Sequence, residues 1–207
     1  MLVKLSVEEF GKVLGSDAPA PGGGSVAALS GALAANLISM VCRLSIGRKE
    51  YEAFDGILKE TLGKSDALAA SLLERIDLDT EAFNGVMAAF KMPKGTDEEK
   101  KARADEIQNS FKKAVQSPLS IARECRDVLS LASKIIGKSN SNALSDLGVA
   151  AQQALAGIEG AIMNVQINIP SIKDDSFKAS TASETTALLE EGRKRQHAVY
   201  KYVVENL

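Results

Sequence analysis

Apolar residues recur three and four positions apart along nearly the whole chain, which is the spacing of one face of an α-helix. A capping box at Ser6 and Glu9 opens a short helix, and a loop over residues 16–23 follows it. Longer helices are predicted over residues 24–46 and 51–76, where apolar side chains again fall on one face.

Breaks divide the rest of the pattern. The acidic cluster around Asp79 predicts a new helix start, and Ser117 before Pro118 has the form of an N-cap followed by a proline at the first helical position. Further helices are therefore predicted over residues 77–90, 96–115, 117–136 and 142–168, with one or two more over 174–207. The pattern predicts an all-α, multihelical single domain over residues 1–207, with about eight helices.

Two of these helices, 24–46 and 142–168, are rich in small residues. Their glycines and alanines let neighbouring backbones approach closely, and several glycines inside one helix need a packing or ligand reason because each costs about 1 kcal/mol relative to alanine. We expect these two helices to form the centre of the fold.

Composition narrows the class of protein. The chain has 207 residues, a net charge of −2 and no tryptophan, so the basic surface of a nucleic-acid-binding protein is not expected. Cys42 and Cys125 lie among apolar residues and are expected to be buried free thiols. The first ten residues lack the apolar core of a secretory leader. Residues 25–42 carry no charge, but alanine, serine and glycine dominate them, so we expect a buried helix rather than a membrane span, in a cytoplasmic protein.

The sequence lacks the residues that several common kinds of catalysis require. The one histidine, His197, lies near the C-terminus, so histidine-assisted nucleophiles and His-ligated zinc are not expected. The "PGGGS" stretch lacks the lysine of a phosphate-binding P-loop, and no strand precedes it. Neither a metal nor a nucleotide cofactor is expected.

The remaining candidates for a functional site are polar groups at the starts of helices. Gly22, Gly23, Gly24 and Ser25 open the first small-residue helix, where free backbone amides can bind an oxyanion, a carbonyl or a carboxylate. The alternative is an ordinary turn with an N-cap.

The second small-residue helix begins with a similar polar group: Asn140, Asn142, Ser145 and Asp146. At its far end Asn164 and Asn168 lie four residues apart, on one face. These amides either satisfy buried backbone groups or recognise the donor and acceptor edge of a heterocycle. Asp146 has the further alternative of capping the helix.

Three charged residues are also candidates. Asp79 is expected at the head of an apolar helix, where it acts either as a functional carboxylate or as an N-cap. Arg48 and Lys49 follow a buried helix, where such charges commonly complement the helix dipole in solvent.

Seven segments, in order, resemble the landmarks of the formiminotransferase-cyclodeaminase C-terminal family: "APAPGGGSVAALSGALAANLISMV", "LSIGRKEY", "DTEAF", "PKGTDEEKKAR", "SPLSIA", "SNALSDLGVAA" and "NVQIN". They span about residues 5–175. The resemblance implies an all-helical homodimer that acts on a reduced folate without metal or nucleotide, with the glycine stretch against the ligand. The family includes two activities, that of methenyltetrahydrofolate cyclohydrolase and that of formiminotetrahydrofolate cyclodeaminase. Because this chain shows no formiminotransferase domain, the resemblance favours the cyclohydrolase. A non-catalytic folate-binding helical dimer is the alternative of another class.

The resemblance also implies roles. Asp79 is expected to be the general base, Lys49 a proton donor and Asp146 the rival carboxylate. "GRKEY" stands where related sequences often have "GKK", and because arginine stays protonated the proton-transfer role goes to Lys49 rather than Arg48. The pterin-binding set is Asn142, Ser145, Asn164 and Asn168. Arg48 and Arg103 are expected at the acidic glutamate tail. These roles require both helix starts to share one cleft.

Overall fold

The computed structural model describes all 207 residues and contains only helices. The six α-helices are α1 (Val7–Leu14), α2 (Gly23–Ser45), α3 (Asp55–Phe90), α4 (Asp97–Ile135), α5 (Leu144–Asn168) and α6 (Asp175–Asn206). Short 3-10 turns cover Leu2–Lys4, Lys49–Phe54, Ser141–Ala143 and Ile169–Ser171. The all-α prediction is confirmed, but there are six helices rather than eight because two predicted breaks do not occur.

The first missing break is at Asp79, which lies deep inside α3 rather than at a helix start. The acidic residues around it make contacts with other parts of the fold instead of starting a helix. Asp77 accepts a hydrogen bond from the Leu2 amide at 2.6 Å, and so ties the N-terminal turn to the middle of α3. The prediction that Asp79 heads a helix, and with it the N-cap alternative, is wrong.

The second missing break is at Pro118, which is buried inside α4. A proline within a helix cannot donate to the carbonyl four residues earlier, here that of Ala114. The Asn168 side-chain amide of α5 donates to this carbonyl instead, at 3.3 Å. A remote side chain thus satisfies the orphaned acceptor, and the predicted N-cap at Ser117 is wrong.

The two small-residue helices, α2 and α5, pack against each other at the centre of the fold, as predicted. A Cβ atom on Gly157 would lie 3.0 Å from the Ala27 carbonyl oxygen and 2.6 Å from Cys125 Sγ, and one on Gly31 would overlap the same sulfur. The glycines therefore permit the close approach of α2, α4 and α5. Cys42 and Cys125 are buried free thiols, as predicted, and burial raises the pKa of Cys42 to about 11.

Helices α2 and α5 run antiparallel. Gly23, at the start of α2, lies beside Asn164 near the end of α5, whereas Asn140, just before α5, bonds to Leu44 and Ser45 at the end of α2. At 1.5 Å per residue, the two ends of α2 are about 33 Å apart. Within one chain the two helix starts therefore lie at opposite ends of the bundle, so a single chain does not form one cleft from both.

Helix α2 is long and apolar enough to cross a membrane by length and composition, but 61% of its most apolar window is buried inside the bundle. That burial is the property of a core helix, because its small side chains contact α3, α4 and α5.

Candidate functional site

A cavity of about 270 Å³ opens at the end of the bundle where α2 begins and α5 ends. We call this the pocket end. Helices α2, α3, α4 and α5 and the loop before α2 all contribute to its walls. The lining residues are Pro19, Ala20, Gly22, Gly23, Gly24, Asp79, Thr80, Ala82, Phe83, Val86, Phe111, Ala114, Pro118, Asn164 and Asn168.

Asp79 is the one charged side chain in this lining. It forms no salt bridge in the chain, and burial raises the pKa of its carboxyl group. The neighbouring Ser25 amide and hydroxyl oppose this rise, although the hydroxyl donates its hydrogen bond to the Ile76 carbonyl, at 2.9 Å. A half-buried carboxylate without a cation, facing a cavity, is suited to accept a proton.

The glycines at the start of α2 make room for this carboxylate. A Cβ atom on Gly24 would overlap both Asp79 carboxylate oxygens, and one on Gly23 would lie 3.0 Å from Asn164 Nδ2. No side chain caps the start of α2, whose N-cap residue is Gly22. The Gly23 and Gly24 amides are thus left for a ligand or water, because the helix itself supplies them no acceptor, whereas the Ser25 amide lies beside Asp79.

Asn164 and Asn168 border the same cavity. The Asn164 amide donates to the Gly160 carbonyl and the Asn168 amide to the Asn164 carbonyl, each at 2.9 Å. Neither side-chain oxygen accepts a hydrogen bond within the chain. Their amide groups therefore satisfy backbone carbonyls, as one alternative supposed, while their oxygens remain free to accept from a ligand, as the other did.

Nine of the 15 lining residues were not among the predicted site residues, and these include Thr80, Phe83 and Phe111. The Thr80 hydroxyl is buried without a partner. A helical threonine commonly donates to the carbonyl four residues earlier, but the Ile76 carbonyl already accepts from Ser25. No short sequence pattern shows that Ser25 and Thr80 compete for the Ile76 carbonyl. Phe83 keeps 37% of its surface exposed, although its spacing suits a core position.

Arg103 lies behind the wall of the cavity rather than in it. Its guanidinium donates to the Phe90 carbonyl at 3.1 and 3.3 Å and lies over the Phe90 ring, which packs edge-on against Phe111. This arrangement caps the end of α3, and its role at a glutamate tail stays a prediction.

The other predicted residues lie at the opposite end of the bundle, which we call the polar end: residues 45–51 and 140–146. Asn142, Ser145 and Asp146 stand at the start of α5, and Arg48 and Lys49 are exposed beyond the end of α2. The caps here are made by other residues. Asn140 Oδ1 accepts from the Asn142 amide at 3.0 Å, and the Tyr51 hydroxyl accepts from the Ser141 amide at 3.0 Å.

No three side chains of the kinds that bind metals come together anywhere in the chain. The expectation that the site works without a metal stays a prediction.

The antiparallel bundle defines the class: an all-α helical protein with a glycine-edged pocket, which contains the Asp79 carboxylate, at one end. The family model for formiminotransferase-cyclodeaminase matches residues 6–187. The chain belongs to this family.

Individual proteins are also similar to this chain in sequence and structure. The methenyltetrahydrofolate cyclohydrolase of Methylorubrum extorquens is 43% identical over 198 residues, which cover 96% of this chain and 95% of the relative. The formimidoyltransferase-cyclodeaminase of Mus musculus is 35% identical over 93% of this chain, which spans only 36% of that longer protein. The crystal structure of formiminotetrahydrofolate cyclodeaminase from Thermotoga maritima has a TM-score of 0.84 and 28% identity, covering 100% of this chain and 98% of that one.

Proposed function

We propose that this protein is a methenyltetrahydrofolate cyclohydrolase, which hydrolyses 5,10-methenyltetrahydrofolate to 10-formyltetrahydrofolate at the pocket end. The observation that carries the proposal is Asp79: a half-buried carboxylate, without a salt bridge, beside the start of α2 in an otherwise uncharged pocket. The near full-length match to a cyclohydrolase in both chains supports this activity over others in the family.

The chemistry needs water, one base and one proton donor. The methenyl carbon between N5 and N10 is an amidinium-like electrophile, so water adds to it once a base accepts a proton. Asp79 takes that proton, and a tetrahedral carbon bearing a hydroxyl group forms. The bond from this carbon to N5 then breaks as N5 gains a proton, and the hydroxyl group becomes the formyl carbonyl as it loses its own. One proton leaves per turnover.

The pocket supports this sequence in two ways. The carboxylate of Asp79 also stabilises the positive charge of the methenyl bridge, because opposite charges attract strongly where water is scarce. The free oxygens of Asn164 and Asn168 are acceptors for the donor edge of the pterin, and Phe83 and Phe111 offer apolar faces to its ring.

The proposal includes a cytoplasmic homodimer and no partner beyond the folate, neither nucleic acid nor membrane. Exposed apolar side chains on α2 and α5 support self-association, because a large apolar patch on a helical surface usually marks an interface.

The test is turnover by the purified protein. Incubation with 5,10-methenyltetrahydrofolate near neutral pH is expected to bleach the methenyl absorbance faster than buffer alone, with 10-formyltetrahydrofolate as the product. Folate binding without turnover would contradict the proposal and favour the non-catalytic dimer.

The second candidate is formiminotetrahydrofolate cyclodeaminase, which closes 5-formiminotetrahydrofolate to the same methenyl compound with loss of ammonia. The structural match to the Thermotoga maritima protein favours it. Ammonia release from 5-formiminotetrahydrofolate, with no acceleration of methenyl hydrolysis, would assign this activity instead.

A further inference from the structure

Pro118 is the one proline inside an α-helix, and it lies in the wall of the pocket. It lacks the backbone N–H that would serve the Ala114 carbonyl, and Ala114 lines the same cavity. Asn168 lines it too, from the end of α5, and its side-chain amide donates to that carbonyl at 3.3 Å. The segments "SPLSIA" and "NVQIN" therefore meet at one point of the pocket.

The nitrogen of the Asn168 side chain is fully used within the protein. A side-chain amide has two N–H donors, and this nitrogen contacts two carbonyls, that of Ala114 at 3.3 Å and that of Asn164 at 2.9 Å. The oxygen accepts no hydrogen bond within the chain, and it is not sealed inside the protein as the Ser117 hydroxyl is. Asn168 therefore presents only an acceptor to the cavity.

Rotation of this amide by half a turn is unfavourable. It would place the Asn168 oxygen within hydrogen-bond distance of two carbonyl oxygens, so that both hydrogen bonds became contacts between acceptors. The Asn164 carbonyl lies in the regular part of α5, where the backbone pattern already supplies a donor. The Ala114 carbonyl has no such donor, because Pro118 lacks an N–H. Pro118 therefore adds the second of the two contacts that fix the orientation of the amide.

Asn164 provides a comparison one turn earlier on the same helix. Its side-chain nitrogen donates only to the Gly160 carbonyl, at 2.9 Å, so one N–H is uncommitted. Rotation costs this residue one hydrogen bond rather than two, and Asn164 can present either an acceptor or a donor to the pocket. Of the two asparagines at this end of α5, only Asn168 is held as a fixed acceptor.

We infer that Pro118 is a positioning residue for substrate specificity: because it supplies no N–H to the Ala114 carbonyl, it holds the Asn168 oxygen toward the cavity as an acceptor. The inference rests on the proposed function for the identity of the ligand, a reduced pterin whose 2-amino group and N3–H are donors. A pteridine with a carbonyl in place of the 2-amino group would set an acceptor against an acceptor. The pocket therefore selects 2-amino-4-oxopteridines over 2,4-dioxopteridines.

Substrate selectivity tests this inference. The kcat/KM for 5,10-methenyltetrahydrofolate is expected to exceed that for its 2-oxo analogue by about 10²-fold in the wild type. In Pro118→Ala the new backbone N–H donates to the Ala114 carbonyl, so the Asn168 amide is free to rotate, and this preference is expected to fall to about tenfold or less. The loss is expected in KM for the natural substrate, with kcat within about threefold of the wild type, because Asp79 is unchanged. An undiminished preference in Pro118→Ala would overturn the inference.

Val86→Ala is the matched control for Pro118→Ala. Val86 is buried and lines the same cavity, and it loses two carbon atoms in this change, as Pro118 does. Its side chain forms no hydrogen bond, so the control is expected to lower kcat/KM for both ligands alike and to keep the wild-type preference. Equal loss of preference in the two variants would show that packing, and not the orientation of Asn168, sets the specificity.

The orientation of the amide can also be measured without a substrate. Nuclear magnetic resonance of isotopically labelled protein is expected to show slow solvent exchange for both hydrogens of the Asn168 side-chain amide, assigned through their correlations with its backbone. In Pro118→Ala this exchange is expected to be about tenfold faster or more, because one of the two hydrogen bonds is lost. Fast exchange of either hydrogen in the wild type would contradict the inference. If the amide is held as described yet the wild type does not hydrolyse 5,10-methenyltetrahydrofolate, the proposed function fails while the positioning role of Pro118 stands.

Discussion

The pocket end and the polar end have similar sequences, in which a short polar run leads into a helix of small apolar residues. They differ in which groups accept hydrogen bonds from the first backbone amides of the helix. At the polar end, Asn140 and Tyr51 accept hydrogen bonds from the first amides before α5. At the pocket end no N-cap side chain bonds to α2, and the half-buried Asp79 carboxylate stands beside the Ser25 amide.

The difference separates stability from function within one helix pair. The polar end satisfies its own backbone, since the Asn140 side chain also donates to the Leu44 carbonyl at 3.2 Å and its amide donates to Ser45 Oγ at 2.8 Å. The pocket end leaves donors and a charge unsatisfied, a state that destabilises a protein unless a ligand uses it. Removal of the unpaired charge at the pocket end is therefore expected to lower activity without loss of stability, and removal of a cap at the polar end to lower stability.

The largest expected effect is at Asp79. Asp79→Asn keeps the shape of the side chain but removes the base, so turnover of 5,10-methenyltetrahydrofolate is expected to fall about 10²- to 10⁴-fold. Steady-state absorbance measures the loss. Asp105→Asn, the same change at an exposed position of α4, is the control and is expected to retain wild-type rates. A fully active Asp79→Asn would exclude this residue as the base.

The next effect is at Gly24. In Gly24→Ala the new methyl group overlaps the Asp79 carboxylate, so the carboxylate or the start of α2 must shift. Turnover is expected to fall about 10²-fold, because displacement of a reacting group by about 1 Å costs that much, and unfolding is expected to become about 1–3 kcal/mol easier.

Gly85→Ala is the matched control for Gly24→Ala. A Cβ atom there meets nothing within 4 Å, and Gly85 is exposed inside α3. This variant is expected to be more stable by about 0.5–1 kcal/mol with normal turnover. Equal rates in the two alanine variants would show that the glycine at the start of α2 is not needed for the pocket.

A smaller effect is expected at the polar end. Asn140→Ala removes the acceptor of the Asn142 amide and the donor to the Leu44 carbonyl, so stability in urea is expected to fall by about 1–3 kcal/mol. Asn109→Ala, at an exposed residue of α4 without a hydrogen bond, is expected to change stability by about 0.5 kcal/mol or less. If Asn140→Ala is as stable as the control, the polar end does not hold the bundle together.

Features that depend on residues close together in the sequence could be predicted. Features that depend on contacts between residues far apart along the chain could not. The capping box at Ser6 forms as predicted, because it involves residues three positions apart, and a second one of the same spacing forms at Thr96. Pro118 was misassigned as a helix start because Asn168, which satisfies the freed carbonyl, is fifty residues away along the chain. The pocket residue Thr80 was missed for the same reason, since its freedom depends on a hydrogen bond between Ser25 and Ile76.

The antiparallel order of α2 and α5 is also a long-range property. Hydrophobic spacing shows that both helices are central, but it carries no information on which of their ends meet. For this reason the candidate residues could be named from the sequence, whereas their division into a pocket end and a polar end could not.

The smallest expected effect is a pH dependence of stability at Asp79. Burial raises the pKa of Asp79 in the folded protein, so the native state holds its proton to higher pH than the unfolded chain does. Stability due to this residue therefore falls as pH rises from the ordinary aspartate pKa through the raised one. Asp79→Asn lacks this loss. Its Tm, compared with that of the wild type, is expected to be equal in acid below the ordinary pKa and about 1–4 °C higher at neutral pH. A lower Tm at neutral pH would mean that the carboxylate stabilises the folded protein, and the contrast between a pocket end with an unpaired charge and a polar end with satisfied backbone groups would no longer hold.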